Sequence, residues 1–154
     1  MTMADDSLFV DTNVLLTATD ESRQLHSEAL DLLSGITNRG KRLAASGQIV
    51  REYLVVATRP IENNGLGLSV RDAEANVSEF LRYLDLCDET EEVSRRLRQL
   101  VITHNLHGKR IHDANIVATM MANGFHTLLT QNGADFAPFN EIAVVAIPDV
   151  AADG

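Results

Sequence analysis

The sequence predicts a doubly wound α/β fold, in which a mostly parallel sheet of about four to five strands lies between helices as a three-layer α/β/α sandwich. Three observations predict it. Short apolar runs alternate along the chain with stretches whose apolar residues recur at helical spacing. No two of the apolar runs are joined by a hairpin-type turn, which leaves crossover connections and therefore parallel pairing. The 154 residues, 45% hydrophobic and 23% charged, suffice for one domain with its own core. That domain is expected to occupy residues 1–154, with its core over about 8–147 and loose tails at 1–6 and 149–154.

Leu8, Phe9 and Val10 form a first strand that runs into Asp11, Thr12 and Asn13, read as a turn. Leu25, Ala29, Leu32, Leu33 and Ile36 repeat at helical spacing until Asn38, Arg39 and Gly40 stop them. Arg42 to Ala45 reads as a second strand. Ser46 and Gly47 open a helix through Ile49, Val50, Tyr53, Leu54 and Ala57, closed at Arg59-Pro60. Glu62 to Gly67 is a loop. Ser69 with Asp72 resembles a capping box ahead of Ala73, Val77, Phe80 and Leu81. Leu84 to Cys87 is a third strand, and Thr90 caps a helix with Glu91 and Glu92 in its first turn, where the helix dipole favours anions. His112 or Asp113 opens the next helix, which Asn123-Gly124 ends. Thr127 to Thr130 and Ile142 to Ile147 are the last two strands, the second ending at Pro148.

Composition removes several classes. Cys87 is the only cysteine, so a disulfide framework is excluded, and it reads as a core thiol at a strand end. No apolar run approaches the roughly 20 residues that span a bilayer, and Met1 to Ser7 holds two acids and no base, unlike a secretory signal. A cytoplasmic protein without membrane contact is expected. The 22 acids against 13 Lys and Arg give a net charge of −9, which argues against gripping nucleic acid through a broad basic face. It leaves open an approach to phosphate through cations held by carboxylates. His104, His107 and His112 match no zinc spacing and read as solvated loop residues.

Ligands of open parallel sheets sit beyond the carboxyl ends of the strands. Asp11 falls at that end of the first strand, and Thr130 with Asn132 at that end of a later one. Asp113 begins a helix, and Glu52 falls in the early turns of another, so that four sequence-distant polar groups are placed to meet at one edge. Singly, each has a plain reading: Asp11 shapes a turn, Asp113 caps a helix, Glu52 is solvated, and Asp135 caps the turn before Phe136. Two carboxylates about 5 Å apart repel by roughly 3 kcal/mol at an effective dielectric near 20. A cluster of them therefore requires a cation, shared protons or a basic partner. Hard oxygen ligands select Mg²⁺ or Mn²⁺, and a metal-held water aimed at a phosphodiester is the chemistry such a site supports. Arg51, Lys109 and Arg110 flank the acids in sequence and are placed to steer a phosphate backbone.

The segment Phe9-Val10-Asp11-Thr12-Asn13-Val14-Leu15-Leu16 resembles the opening motif of PIN domains. His112-Asp113-Ala114-Asn115-Ile116-Val117-Ala118-Thr119 resembles their helix with a metal-binding Asp, and Thr130-Gln131-Asn132-Gly133-Ala134-Asp135-Phe136 their late Thr-x-Asp/Asn-x-x-Asp-Phe segment. Ile49-Val50-Arg51-Glu52-Tyr53 is similar to the segment with the second acid. Ala57-Thr58-Arg59-Pro60 and Asn64-Gly65-Leu66-Gly67-Leu68-Ser69 look like the VapC-type branch of bacterial toxins. The resemblance covers about Leu8 to Ile147. It implies a PIN-like sandwich and a Mg²⁺- or Mn²⁺-dependent ribonuclease, the toxin of a type II toxin–antitoxin pair, with RNA as substrate, a cognate antitoxin as partner and a homodimer as assembly. Carried over, Asp11, Glu52 and Asp113 become metal ligands, Thr12 and Thr130 close polar support, and Asn13 a residue that orients an acid. The fourth position lies between Asn132, where many relatives have Asp, and Asp135, which is the reading adopted. The rival reading is a PIN-fold module with a degenerate site that binds RNA or protein without cutting. A response-regulator receiver lacks its acid pair after the first strand, and a haloacid-dehalogenase-type enzyme lacks its second Asp, whose place Asn13 takes.

Overall fold

The central strand β1 (Ser7–Val10) is apolar from Leu8 to Val10 and buried along its whole length, as a strand covered on both faces must be. It pairs with β2 (Arg42–Ser46) on one side and β4 (Thr127–Leu129) on the other, so that Phe9 lies opposite both Ala44 and Leu128. β3 (Leu84–Cys87) and β5 (Ala143–Val145) form the edges, and all five strands run parallel in the order β3-β2-β1-β4-β5. The computed structural model describes residues 7–35 and 40–152.

Seven helices among the described residues flank this sheet, giving the expected three-layer α/β/α sandwich. They are α1 (Thr12–Thr19), α2 (His26–Leu33), α3 (Gly47–Thr58), α4 (Val70–Phe80), α5 (Glu91–His104), α6 (Arg110–Ala122) and α7 (Ile147–Ala152). α5 packs on α6, while α1 packs on α2 and α3, α4 on α3, and α7 on α2. The chain leaves β1 toward β2 and β3, then returns through α5 and α6 to the other side of β1 for β4 and β5. The strand order therefore reverses between β1 and β4, and a crevice opens at their carboxyl ends.

Four expectations are corrected. Asp11, Thr12 and Asn13 are not a turn: Asp11 is the N-cap of α1, a helix whose apolar residues Val14, Leu15, Leu16 and Ala18 are all buried. Capping and turn-making use the same local side-chain-to-backbone bonds, and a short helix buried all round shows no periodicity. α6 starts at Arg110, ahead of His112, because turn bonds from Ile111 N–H to Gly108 C=O and from His112 N–H to Lys109 C=O lead into it without a side-chain cap. The last strand stops at Val145, and Pro148 sits in the first turn of α7, where a missing N–H costs nothing. Asp149 Oδ2 accepts from Ala146 N–H at 3.0 Å, and Val150 is buried, so residues 149–152 are not a loose tail. Of the remaining boundaries, residues 1–6, Ile36, Asn38 and Arg39 lie outside the described residues. Cys87 is the buried, unpaired thiol at the end of β3 that the sequence indicates.

The expected loop after α3 folds back on its end. The N–H groups of Leu66, Gly67 and Leu68 donate to the carbonyls of Val56, Arg59 and Ala57 at 2.9–3.0 Å, satisfying acceptors that a helix end leaves open. This holds Gly65 so close that a Cβ there would sit 2.0 Å from Arg59 O, whereas a Cβ at Gly47 meets nothing within 4 Å. Gly65→Ala is expected to destabilise the protein by at least about 1–3 kcal/mol. Gly47→Ala, at an unstrained position in the first turn of α3, is expected to be neutral or to stabilise by up to about 1 kcal/mol. Urea denaturation of the two variants checks this pair.

Candidate active site

Asp11 lies at the carboxyl end of β1, at the point where the strand order reverses, and is only 7% exposed. Its Oδ1 accepts from Thr12 N–H at 2.8 Å as the cap of α1, and its Oδ2 accepts from Thr130 Oγ1–H at 2.8 Å and from Asn13 Nδ2–H at 3.3 Å. Thr130, just beyond β4, is buried and also accepts from Asn132 N–H and Asn13 Nδ2–H, each at 3.0 Å. Asn13 Oδ1 accepts from Gln131 N–H at 3.0 Å. Thus α1 and the segment after β4 are stitched together around one carboxylate.

Glu52 arrives from the second turn of α3. Thr12 Oγ1–H donates to its Oε1 at 2.9 Å, and Gln48 Nε2–H, one turn earlier, donates to its Oε2 at 3.1 Å. Gln48 is 1% exposed and also donates to His112 C=O at 2.9 Å, while its Oε1 accepts from Asn115 Nδ2–H at 2.7 Å. Asn115 donates onward to Glu89 Oε1, past the end of β3. One buried amide therefore sets Glu52 against α6, the helix that supplies Asp113. Sequence reasoning missed Gln48 and Asn115, although Asn115 stands within the segment that supplied Asp113 and Gln48 directly precedes the one that supplied Glu52.

Asp113 is half-buried in the first turns of α6, and Asp135 is exposed in the 3₁₀ turn Gly133–Phe136. Neither carboxylate accepts a hydrogen bond among the described residues. Asp11, Thr12, Asn13, Glu52, Asp113, Asn132 and Asp135 line one cavity of about 230 Å³, with Leu16, Ile116 and Phe136 as its apolar wall. Burial, then the charges of Asp135 and Asp11, push the Asp113 carboxyl up to about 6, with Arg110 acting the other way and Glu52 adding to the rise. Burial also raises Asp11, opposed by its bonds from Thr130 and Thr12 and reinforced by Glu52 and Asp135.

All four acids expected from the sequence thus reach one cavity, together with Asn132, Thr12 and Asn13, and with Thr130 behind Asp11. The bases are divided. Arg110 reaches Asp135 C=O at 3.4 Å, Arg51 lines a neighbouring groove, and Lys109 is exposed outside both. The histidines are not simply loop residues: His104 ends α5, is half-buried, and faces Glu141 at 2.9 Å with its ring edge-on to Phe139.

The PIN domain family model matches residues 8–142. The chain belongs to the PIN domain family. Solved structures reinforce the fold. VapBC2 from Rickettsia felis, bound to a promoter DNA fragment, superposes with a TM-score of 0.68 at 16% identity, over 91% of this chain and 98% of that one. VapC20 from Mycobacterium tuberculosis, a toxin that cleaves the sarcin–ricin loop, gives 0.65 at 17% identity over 86% and 95%. A toxin–antitoxin complex from Klebsiella pneumoniae gives 0.60 at 23% identity over 92% and 97%. No match is found among curated proteins by sequence. Among the described residues of this PIN domain, no helix is long and apolar enough to cross a membrane.

The donor set of the cavity is all oxygen and suits a hard divalent cation in kind. As the side chains stand, no three His, Cys, Asp or Glu among the described residues are close enough to hold an ion directly. An ion that keeps several of its waters needs fewer direct ligands, and the unbonded carboxylates of Asp113 and Asp135 are the ones free to turn toward it.

Two measurements test this electrostatic and hydrogen-bonded arrangement without a cation. Because the folded Asp113 carboxyl lies above its ordinary value of 3.8, the native state holds the proton longer, and stability falls as pH rises from about 3.8 to about 6. In metal-free buffer, Asp113→Asn is expected to gain stability over the parent across that window, fully above it and hardly at all below. Denaturation midpoints that stay parallel at every pH would show that Asp113 titrates normally. Separately, Gln48→Leu keeps the volume but strands Glu52, His112 C=O and Asn115, and is expected to cost about 1–3 kcal/mol by urea denaturation.

Proposed function

We propose that this PIN domain is a Mg²⁺- or Mn²⁺-dependent endoribonuclease, the toxin of a toxin–antitoxin pair. The observation that carries the reading is the convergence of Asp11, Glu52, Asp113 and Asp135 on one cavity, with burial and mutual repulsion raising Asp11 and Asp113. Concentrated negative charge at a sheet's ligand-binding edge is costly to a scaffold and useful to a site that recruits cations.

In this reading Asp11, Glu52, Asp113 and Asp135 hold the ion, and Asn132 borders it. When bound, the ion supplies a water of lowered pKa and neutralises charge on the phosphate. The rest is the work of the chain. Thr130 and Asn13 aim Asp11, Thr12 and Gln48 fix both oxygens of Glu52, and Arg110, with Lys109 beside it, meets the approaching backbone. Hydrolysis between phosphorus and O3′ leaves 5′-phosphate and 3′-hydroxyl ends. The 2′-hydroxyl takes no part, so preference for RNA comes from surfaces around the cavity rather than from the reaction. The likeness in fold to toxin–antitoxin complexes supports an antitoxin partner. In this reading that antitoxin covers the acids, and the protein is a cytoplasmic homodimer. Asn132, standing where an acid is usual, favours one other reading, a PIN-fold module that binds RNA or protein without cutting.

The decisive experiment is incubation of a mixed RNA pool with Mg²⁺ or Mn²⁺, with the new ends mapped by sequencing. Cleavage leaving 5′-phosphates is expected, abolished by EDTA and reduced at least about a hundredfold by Asp113→Asn. Identical end profiles for parent and Asp113→Asn would favour the non-cutting module.

A further inference from the structure

A second cavity, of about 450 Å³, adjoins the acid cavity and shares Thr12 and Glu52 with it. Its own lining is Arg51, Val55, Val56, Arg59 and His112. Arg51, Val55 and Arg59 follow one another at intervals of four along α3 and its C-cap, and so lie on one face over roughly 12 Å. That face presents a cation, an apolar side chain and a second cation. Val55 is 50% exposed, an aliphatic side chain left uncovered in the middle of the row.

Of the eleven arginines of the sequence, Arg23, Arg42, Arg82, Arg95 and Arg96 each pair with an Asp or Glu. Arg51 and Arg59 have no ion pair among the described residues, although they stand beside the most acidic cavity of the fold. Glu52, the one acid that lines this groove, is already engaged by Thr12 and Gln48. On the opposite side of the cavity Arg110 is tethered to Asp135 C=O. Arg51 and Arg59 thus add two cations on the α3 side to those of Arg110 and Lys109 on α6 and its approach.

We propose that this groove is the subsite for the nucleotide next to the cleaved phosphate of a single-stranded RNA, with Arg51 and Arg59 on its two flanking phosphates and Val55 and Val56 under its base. The groove thus offers two cations for phosphates and an apolar surface for a base. The volume lies within the roughly 300–1,000 Å³ of pockets that enclose small ligands. Shared walls at Thr12 and Glu52 make the strand continuous from the groove to the acids. The inference rests on the nuclease reading for the position of the cleaved bond, and its test is a binding measurement that needs no turnover.

The probe is a fluorescent, mixed-sequence single-stranded RNA of roughly 12 nucleotides, titrated by anisotropy with Asp113→Asn protein. Adding Arg51→Ala and Arg59→Ala to that background is expected to weaken binding at least about tenfold and to reduce the slope of log affinity against log salt by about 1 to 2. Arg71→Ala with Arg98→Ala removes the same charge from α4 and α5, and is expected to change affinity less than about twofold. Circular dichroism confirms that each variant is folded. Equal losses from the two pairs would mean that net charge alone acts, and would overturn the groove. So would unchanged binding in Arg51→Ala/Arg59→Ala, or displacement of the RNA by a polyglutamate peptide bound through the same two arginines, which would make the groove a protein-docking site. If the parent still cuts RNA with metal in those cases, the nuclease reading stands without the groove; if it neither cuts nor binds RNA, both fall.

Discussion

Asp11 is held where β1 ends and the strand order reverses, between the cap N–H of α1 and the hydroxyl of Thr130 from across the crevice. A buried carboxylate is tolerated because each of its oxygens is bonded, and the bonds come from two segments far apart in sequence. That constraint organises the edge. Thr12 can bond Glu52 because Asp11 has already begun the helix at that residue, and Asn132 N–H can reach Thr130 because Thr130 is turned toward Asp11. The carboxyl edge of the sheet is thereby built around one side chain, and the other acids take their places relative to it.

The four acids are not equivalent. Asp11 and Glu52 are fully engaged by neutral donors, which fixes their direction without cancelling their charge. Asp113 and Asp135 have no such donors, and burial, then the charges of Asp135 and Asp11, push the Asp113 carboxyl up to about 6. Neutral donors for two acids and none for the other two is an arrangement that holds a frame and leaves reach for a cation.

Much of this was legible in the sequence. Strand and helix order came from periodicity, and the positions of Asp11, Glu52 and Asp113 came from their place at strand ends and helix starts. α1 was hidden because Asp11, Thr12 and Asn13 carry the same chemistry whether they make a turn or cap a helix. α7 was hidden because Pro148 breaks a strand and equally opens a helix. Gln48 and Asn115 carry no charge and form no recognised spacing. Their importance comes from the approach of α3 to α6, a tertiary fact that neither helix encodes alone. Val55 is half exposed, because α3 meets its neighbours through Ile49, Tyr53 and Ala57 and leaves its other face open, which the run of apolar residues along α3 does not reveal.

The fourth position of the acid cluster follows from how charge reaches its neighbours. Asn132 is fixed by its backbone N–H to Thr130, and its side chain is neutral, so it contributes shape and dipole but no charge. Asp135, three residues on, lies in the 3₁₀ turn that returns the chain over the cavity, with Phe136 buried beneath it. Its carboxylate acts on both Asp11 and Asp113, and on Asp113 it is the strongest of the neighbouring charges. A short turn anchored by an aromatic residue can thus return to the site the negative charge that residue 132 lacks, although the acid is displaced along the chain. Since cation affinity at oxygen sites rises with the charge and number of ligands, the proposed nuclease would draw the electrostatic role of the fourth acid from Asp135, while Asn132 N–H ties that turn to Thr130.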